Sequence, residues 1–328
     1  MKRQNISRDD LKNSFLQNYF QNAEFEVYPI PADASFRTYD RISFQGKNFI
    51  LMNSPPVHYN LAPFIKIAEL LCEHKLSAPL IFETDAHNGF MLLEDFGNIS
   101  IAKHLLDDPE IVKHKEVYGL IVELLVEVQK IECKPHHDLP LYDATVLLKE
   151  LELYTDWYVP FISGKPLDED LKQEFLEIWQ EVLKELPDLK PCLVLRDFHV
   201  ENMMLIEGDG INAIGLLDFQ DAVIGNPLYD LVSVLEDARI EVSEETREQF
   251  LSLYLDLRKD ISVYDGYLSY HILAAQRNLR ILGVFARKAV RDGQENYLKY
   301  IPRLLNYLEH DLSHPVLESV KNWTGKIA

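Results

Sequence analysis

The most constraining feature of this sequence is the stretch LRDFHVENMMLIEGDGINAIGLLDFQDAVIGNPLYDL, which runs from Leu195 to Leu231. In it, Asp197, Asn202 and Asp218 stand around short apolar segments. A buried carboxylate is costly unless a metal ion or hydrogen-bond donors satisfy it. Any fold of this chain must therefore give these polar groups partners, or hold them at a site where a ligand supplies the partners.

A β-hairpin is predicted between Asn202 and Asp218, because NMMLI and INAIGLL are joined by the turn signal EGDG. The hairpin would return the chain and bring Asp218 beside the loop that carries Asp197 and Asn202. Phosphoryl transfer needs such a set: a carboxylate for a hydroxyl proton, oxygen ligands for Mg²⁺ and a cover over the phosphates. Alternatively, Asp197 caps a turn and Asp218 ends a strand. The complete set favours a phosphotransferase site.

The charge of the chain excludes some partners. The 328 residues include 53 acidic and 33 basic side chains, for a formal net charge of -20. Nucleic-acid binding needs basic patches, so no nucleic-acid partner is expected. Hydrophobic residues make up 47%, enough for the cores of two domains or of one two-lobed domain. A small anion would still bind in a basic pocket or through Mg²⁺ held by carboxylates.

The cysteines and apolar segments predict a cytoplasmic protein without membrane association. Cys72, Cys133 and Cys192 are widely spaced and form no CxxC pair, which is typical of reduced thiols. The N-terminal stretch lacks the apolar segment of a signal peptide. No apolar run approaches the roughly 18 residues of a membrane span.

Hydrophobic periodicity predicts an α+β chain with two lobes. Strand patterns occupy about 25–54 and 78–97, with helices at 7–22 and 61–74. Further helices are predicted near 116–132, 143–158, 168–187, 228–239, 244–258, 265–290 and 296–310. We therefore expect a small strand-rich N-terminal lobe at 1–95 and a larger helical C-terminal lobe at 96–328 with the β-hairpin embedded in it.

Several of these stretches resemble a known family. LRDFHVEN resembles the protein-kinase catalytic loop HRDxxxxN, and LLDFQDAVIGNPLYDL resembles the metal-binding segment of the aminoglycoside phosphotransferase family. Within it, DASFRTYDRI, LMNSPP, ELYTDWYV and NLRILGVFARKAVRDGQENYL are similar to the anomeric N-acetylmuramate/N-acetylglucosamine kinases of bacterial cell-wall recycling. The resemblance covers about residues 30–305. It implies a bilobal protein-kinase-like fold, with ATP and Mg²⁺ as cofactors.

The resemblance also implies roles. Asp197 would be the catalytic base, and Asn202 and Asp218 would bind Mg²⁺. Glu94 and Asp95 would lie at the hinge, where backbone groups contact adenine. The residues expected to support the catalytic loop are Arg196, Gly225 and Asp230.

Two positions depart from the kinase pattern. Leu195 replaces the histidine of HRD, and Met52 stands where a phosphate-binding lysine is expected. Arg37 and Arg41, on one face of a predicted strand, would supply the missing cation or remain solvated charges. The loop PADASF lacks GxGxxG, and only small residues such as Ser35 would let it approach phosphates.

A long predicted helix offers candidates for substrate contacts. One of its faces carries Gln276, Arg280, Gly283 and Arg287. The arginines would read an anionic or polar sugar substituent or pair with acids, and the glycine would let a sugar approach the backbone. Trp157 would stack on a sugar ring or pack in the core, and His199 would touch the substrate.

The function expected from all this is transfer of phosphate from ATP to the anomeric hydroxyl of an N-acetylated amino sugar, giving a sugar 1-phosphate. One alternative is a related phosphotransferase acting on an aminoglycoside, choline or homoserine. Another, suggested by Met52, is a nucleotide-binding pseudokinase.

Overall fold

The structure, a computed structural model, describes residues 7–31, 37–107, 111–134 and 138–327. The chain packs into two compact units. Unit 1 comprises Met1–Ser100 with Met203–Asp221, and unit 2 comprises Ile101–Asn202 with Ala222–Ala328. The predicted α+β organisation, strands first and a mostly helical remainder, is confirmed.

Unit 1 is built on a five-stranded antiparallel sheet with strand order β1-β2-β3-β5-β4. Its strands are β1 (Glu26–Ile30), β2 (Thr38–Phe44), β3 (Lys47–Asn53), β4 (Ile81–Asp85) and β5 (Phe90–Glu94), with helices α1 (Arg8–Tyr19) and α2 (Ala62–Glu73). Gln45 and Gly46 join β2 to β3 with φ of 49° and 77°. Positive φ at both turn residues matches the twist of a tight hairpin.

Helix α1 covers one face of this sheet. The core there consists of Phe15, Leu16, Phe20, Ile42, Leu51, Phe90 and Leu92. Burying each such side chain contributes about 1.5–3 kcal/mol. Because side chains alternate along a strand, Arg41 and Met52, next to Ile42 and Leu51, lie on the opposite face.

The predicted hairpin is confirmed as β8 (Met203–Leu205) and β9 (Ile214–Leu216). It belongs to unit 1, because Leu205 N–H donates to Ile99 O at 2.8 Å and Leu216 N–H donates to Ser77 O at 2.7 Å. A Cβ on Gly215 would lie 2.5 Å from the Phe96 ring, so glycine permits this packing. The lobe boundaries at 1–95 and 96–328 stay a prediction. The hairpin, expected within the second lobe, packs with unit 1.

Unit 2 is mostly helical. Its helices are α3 (Ile101–Asp107), α4 (Ile111–Gln129), α5 (Ala144–Glu150), α6 (Val159–Ser163), α7 (Glu169–Lys184), α8 (Leu228–Leu235), α9 (Glu244–Leu257), α10 (Val263–Asp292), α11 (Ile301–Asp311) and α12 (Glu318–Ile327). Three short strands, β6 (Leu141–Tyr142), β7 (Cys192–Val194) and β10 (Val223–Gly225), form a sheet in the order β6-β10-β7. Among the described residues, no helix is long and apolar enough to cross a membrane.

Helix α10 is the centre of unit 2 and packs against α8, α11 and a π-helical turn at Tyr154–Tyr158. A Cβ on Gly283 would lie 2.2 Å from the backbone carbon of Leu153. The expectation that Gly283 lets a sugar approach is therefore wrong, because the backbone of Leu153 occupies the space beside it. Tyr154–Tyr158 falls within the predicted helix 143–158, of which only Ala144–Glu150 is regular α-helix.

Candidate active site

The loop that carries Asp197 follows strand β7 and is held by Asp230 of helix α8. Asp230 is fully buried, and its carboxylate accepts the N–H groups of Leu195 at 2.6 Å and of Arg196 at 3.0 Å. Arg196 has a φ of 68°, in the left-handed region that costs a non-glycine residue energy. Asp230 thus fixes a strained turn immediately before Asp197.

Burial raises the pKa of Asp230 to about 7, whereas the two N–H donors and Arg277 oppose the shift. Two donors that point at separate oxygens require both oxygens to accept, which the ionised carboxylate satisfies. Asp230 is therefore the anion that holds the backbone of the loop through Leu195 and Arg196.

Asp197 and Asn202 are joined within the same loop. Asn202 Nδ2 donates to the backbone oxygen of Asp197 at 3.0 Å and lies 3.3 Å from His199 Nε2. The amide nitrogen is thereby used inside the loop, and the amide oxygen is the atom suited to a metal ion. Asp197 is half-buried and has further interactions in the structure.

His199, expected to touch substrate, is buried behind Asn202. Burial, followed by the charges of Arg239 and Arg277, holds its pKa well below the usual range. The imidazole is therefore neutral, and its Nε2 accepts the hydrogen bond from Asn202. In this position His199 orients the amide.

In unit 1, Asp218 follows β9 and adopts a φ of 56°. Its side chain is 46% exposed, and Oδ1 accepts Gln220 Nε2 at 2.8 Å. The guanidinium Nη1 of Arg37 lies 3.9 Å from the same oxygen. An exposed carboxylate in a strained turn, beside a cation, is suited to a ligand of mixed charge such as a metal-bound phosphate.

Arg37 is fixed by two further contacts in unit 1. Its Nε donates to Ser54 Oγ at 3.0 Å, and its guanidinium lies 4.8 Å from the centre of the Tyr59 ring. Met52, at the position where kinases carry lysine, has an uncharged side chain and is fully buried, so it provides no cation there. Ser35, the other predicted phosphate contact, lies outside the described residues.

Arg41 is used differently from Arg37. Its guanidinium pairs with both oxygens of Asp95, at 2.5 and 2.9 Å, and donates to Gly97 O at 2.9 Å. Glu94 accepts the N–H of Leu80 through Oε2 at 3.2 Å. These side chains brace the connector after β5.

The predicted substrate residues on α10 separate into three kinds. Gln276 is fully buried and donates to Leu147 O at 2.9 Å, so it fastens α10 to α5. Arg280 lies with Nε 2.9 Å from Glu150 Oε2. Arg287 is half-buried, and in the described part of the chain its Nε has no hydrogen-bond partner and no carboxylate forms an ion pair with it. Burial and then the nearby Arg291 lower the pKa of Arg287.

The last two predicted residues have structural surroundings. Trp157 is half-buried in the π-helical turn, a kind of element often found at functional sites. Gly225 lies in β10, where a Cβ would come 3.2 Å from Cβ of Tyr142. Residues that the sequence analysis missed are Ser54, Tyr59, Tyr142 and Glu150, all of which bind a predicted site residue.

The donor set can be tested against Mg²⁺. The ion prefers a few carboxylate and carbonyl oxygens and keeps several waters. Asn202 offers an amide oxygen and Asp218 an exposed carboxylate, both hard ligands, so the residue types fit. Among the described residues no group of three or more His, Cys, Asp or Glu is placed to hold a metal ion by itself. A bound nucleotide would supply further oxygens.

Comparison with known proteins gives consistent matches. The family described as "Phosphotransferase enzyme family" matches residues 26–267. The N-acetylmuramate/N-acetylglucosamine kinase of Neisseria meningitidis serogroup B is 34% identical over 311 residues, covering 91% of this chain and 89% of the relative. The protein of the same name from Caulobacter vibrioides is 30% identical over 350 residues, covering 96% and 95%.

Two solved structures share the fold. The GDP complex of wild-type aminoglycoside 2'-phosphotransferase-IIIa has a TM-score of 0.64 at 18% identity, and covers 92% of this chain and 98% of that chain. The choline kinase LicA from Streptococcus pneumoniae has a TM-score of 0.62 at 14% identity, with coverage of 92% and 99%. The protein-kinase-like fold predicted from the sequence is confirmed.

Proposed function

Since this chain belongs to the phosphotransferase enzyme family, we propose that it is an ATP-dependent kinase for the anomeric hydroxyl of an N-acetylated amino sugar. The observation that carries the proposal is the shared name of four relatives, N-acetylmuramate/N-acetylglucosamine kinase, at 30–34% identity over 84–96% of this chain. The loop geometry of Asp197 and Asn202 supports it.

In unit 2, Asp197 accepts the proton of the sugar hydroxyl, and the hydroxyl oxygen attacks the γ-phosphorus of ATP. The bond from that phosphorus to the bridging oxygen breaks, and ADP leaves. An anomeric hydroxyl is more acidic than other sugar hydroxyls, which eases the demand on Asp197 as the base. Asp230 and His199 act only through the loop: the first holds its backbone, and the second holds Asn202.

In unit 1, Arg37 is the cation we assign to the phosphates in place of the lysine absent at Met52. Its contact with Ser54 fixes its direction, and Asp218 lies beside it. Mg²⁺, for which Asp218 is the candidate ligand in this unit, would supply positive charge to the phosphate oxygens when bound. The backbone after β5, braced by the Arg41–Asp95 pair, would contact adenine.

On the sugar side, Arg287 is the residue we assign to an anionic substituent. A half-buried guanidinium without a carboxylate partner in the described chain is costly and gains most from a bound anion. N-acetylmuramate carries such a group, the carboxylate of its lactyl ether, and N-acetylglucosamine does not. Arg280 and Trp157 would contact the part that both sugars share.

The test is phosphate transfer from Mg·ATP to a panel of N-acetylmuramate, N-acetylglucosamine, kanamycin, choline and homoserine. The expected product is a phosphorylated amino sugar that has lost its reducing end, identified by phosphorus NMR. Asp197→Asn should keep nucleotide binding and lose at least about a hundredfold in kcat. Transfer to kanamycin, choline or homoserine alone would replace the sugar assignment, and nucleotide binding without any transfer would establish a pseudokinase.

A further inference from the structure

Glu150, the last residue of α5, lies at the centre of a charged cluster in unit 2. Its Oε1 accepts Arg196 Nη2 at 2.7 Å, and its Oε2 lies 2.9 Å from Arg280 Nε. The hydroxyl of Tyr142 also donates to Oε2. The side chain of Glu150 is only 16% exposed, so these contacts are shielded from water.

The first partner connects Glu150 to the reacting carboxylate. Arg196 directly precedes Asp197 and has the left-handed φ of 68°. A strained residue keeps its conformation only if its surroundings hold it. Asp230 holds the backbone N–H of Arg196, while Glu150 and the Tyr142 ring, 5.1 Å from the guanidinium carbon, hold its side chain.

The second partner connects Glu150 to α10. Burial alone would lower the pKa of Arg280, but the neighbouring Tyr229, Glu150, Tyr142 and Asp197 raise it. Arg280 is therefore a charged guanidinium within the electrostatic reach of Asp197. Its Nε lies 2.9 Å from Glu150 Oε2, so Glu150 joins α10 to the same charged cluster as Arg196.

We propose that Glu150 is a positioning residue of the phosphoryl transfer, which fixes the side chain of Arg196 so that the adjacent Asp197 faces the substrate hydroxyl. It binds both arginines with separate oxygens, a geometry that its amide analogue would satisfy only in part. As a statement about catalysis, this inference rests on the proposed function.

The test compares Glu150→Gln with Glu152→Gln. Glu152 lies in the same segment and pairs with Lys172 at 3.7 Å on the surface, which makes it a matched control. We expect Glu150→Gln to lower kcat on the amino sugar about tenfold or more while the KM for ATP stays within about twofold. Glu150→Asp should recover part of the loss, and Glu152→Gln should behave as wild type.

A second measurement does not depend on turnover. Hydrogen exchange of the Leu195 and Arg196 amides, which donate to Asp230, should be faster in Glu150→Gln than in wild type or Glu152→Gln. An Arg196→Ala variant should be no further impaired by adding Glu150→Gln, because the two residues act through one contact.

The outcomes separate this inference from the proposed function. A wild type inactive on every amino sugar would reject the sugar assignment, while the exchange rates would still report on Glu150. Unchanged exchange, unchanged kcat in Glu150→Gln, or additive losses with Arg196→Ala would overturn the positioning role.

Discussion

Arg37→Ala tests how this chain holds phosphates without the lysine of other kinases. In the structure the Arg37 guanidinium lies 3.9 Å from Asp218, is anchored by Ser54 Oγ at 3.0 Å and rests 4.8 Å from the Tyr59 ring. The substitution removes the charge and leaves the Ser54 hydroxyl without its donor.

The size of the effect follows from the distance. Two unit charges at this separation interact by about 1 kcal/mol in water and about 4 kcal/mol at an effective dielectric of about 20. Asp218 is 46% exposed, so screening favours the lower part of this range. If the ATP phosphates lie at a similar distance from Arg37, the substitution should remove about 1.4–2.8 kcal/mol of their stabilisation. That corresponds to a roughly tenfold to hundredfold lower kcat/KM for ATP.

Steady-state kinetics with ATP varied at saturating sugar measures this loss. Arg37→Lys should recover part of it by restoring the charge, and Ser54→Ala should lose less than Arg37→Ala because only the anchor disappears. Arg291→Ala, at an exposed ion pair with Asp292, is the control. If Arg37→Ala keeps kcat/KM for ATP within about twofold of wild type, Arg37 does not hold the phosphates.

Asp218→Ala should weaken Mg²⁺-dependent nucleotide binding about tenfold or more, since a carboxylate ligand disappears; equal affinity of both proteins by calorimetry would contradict that role. Arg287→Ala should lower kcat/KM about tenfold more for N-acetylmuramate than for N-acetylglucosamine, and parallel losses on both sugars would remove Arg287 from the carboxylate. Glu236→Gln should change the pH dependence of stability. Burial and then the charge of Asp311 raise the pKa of Glu236 to about 8, so the folded chain keeps a proton that the unfolded chain releases near its ordinary, lower pKa. The contribution of Glu236 to stability should therefore be greatest in acid and fall as pH rises toward 8, by up to about 1.4 kcal/mol per pH unit for one proton. Thermal unfolding across pH should show this fall as a difference between wild type and Glu236→Gln, and the exposed Glu309→Gln should follow the wild type.

The features that the sequence predicted well have local signals. The EGDG turn between two apolar segments marks the β8–β9 hairpin, and the pattern of Asp197, Asn202 and Asp218 marks the family. Turn residues and strand alternation act over a few positions, so they can be read without knowing the fold. Most of the predicted helices are present for the same reason, with their ends moved by a few residues, while the helix predicted at 143–158 is regular only over Ala144–Glu150.

The contacts that escaped prediction are distant in sequence. Glu150 is 46 positions from Arg196, and no periodicity marks it as anything but a solvated acid at a helix end. His199 and Gln276 are polar residues whose burial depends on the helices packed around them. Their positions behind Asn202 and against Leu147 follow from tertiary packing, which the sequence pattern does not record.

The placement of the β8–β9 hairpin in unit 1 has a consequence for how the protein matures. The hydrogen bond from Ser77 to Asn212 spans 135 positions, so the ribosome delivers the first partner long before the second. Closing so long a loop is slow, and until then the backbone oxygens of Ser77 and Ile99 lack their donors from the hairpin and the Phe96 ring lacks its Gly215 cover. A fragment that stops near Ser100 would keep this incomplete surface permanently. Unit 1 is therefore not a detachable module, and its co-translational folding waits for synthesis to pass Asp221.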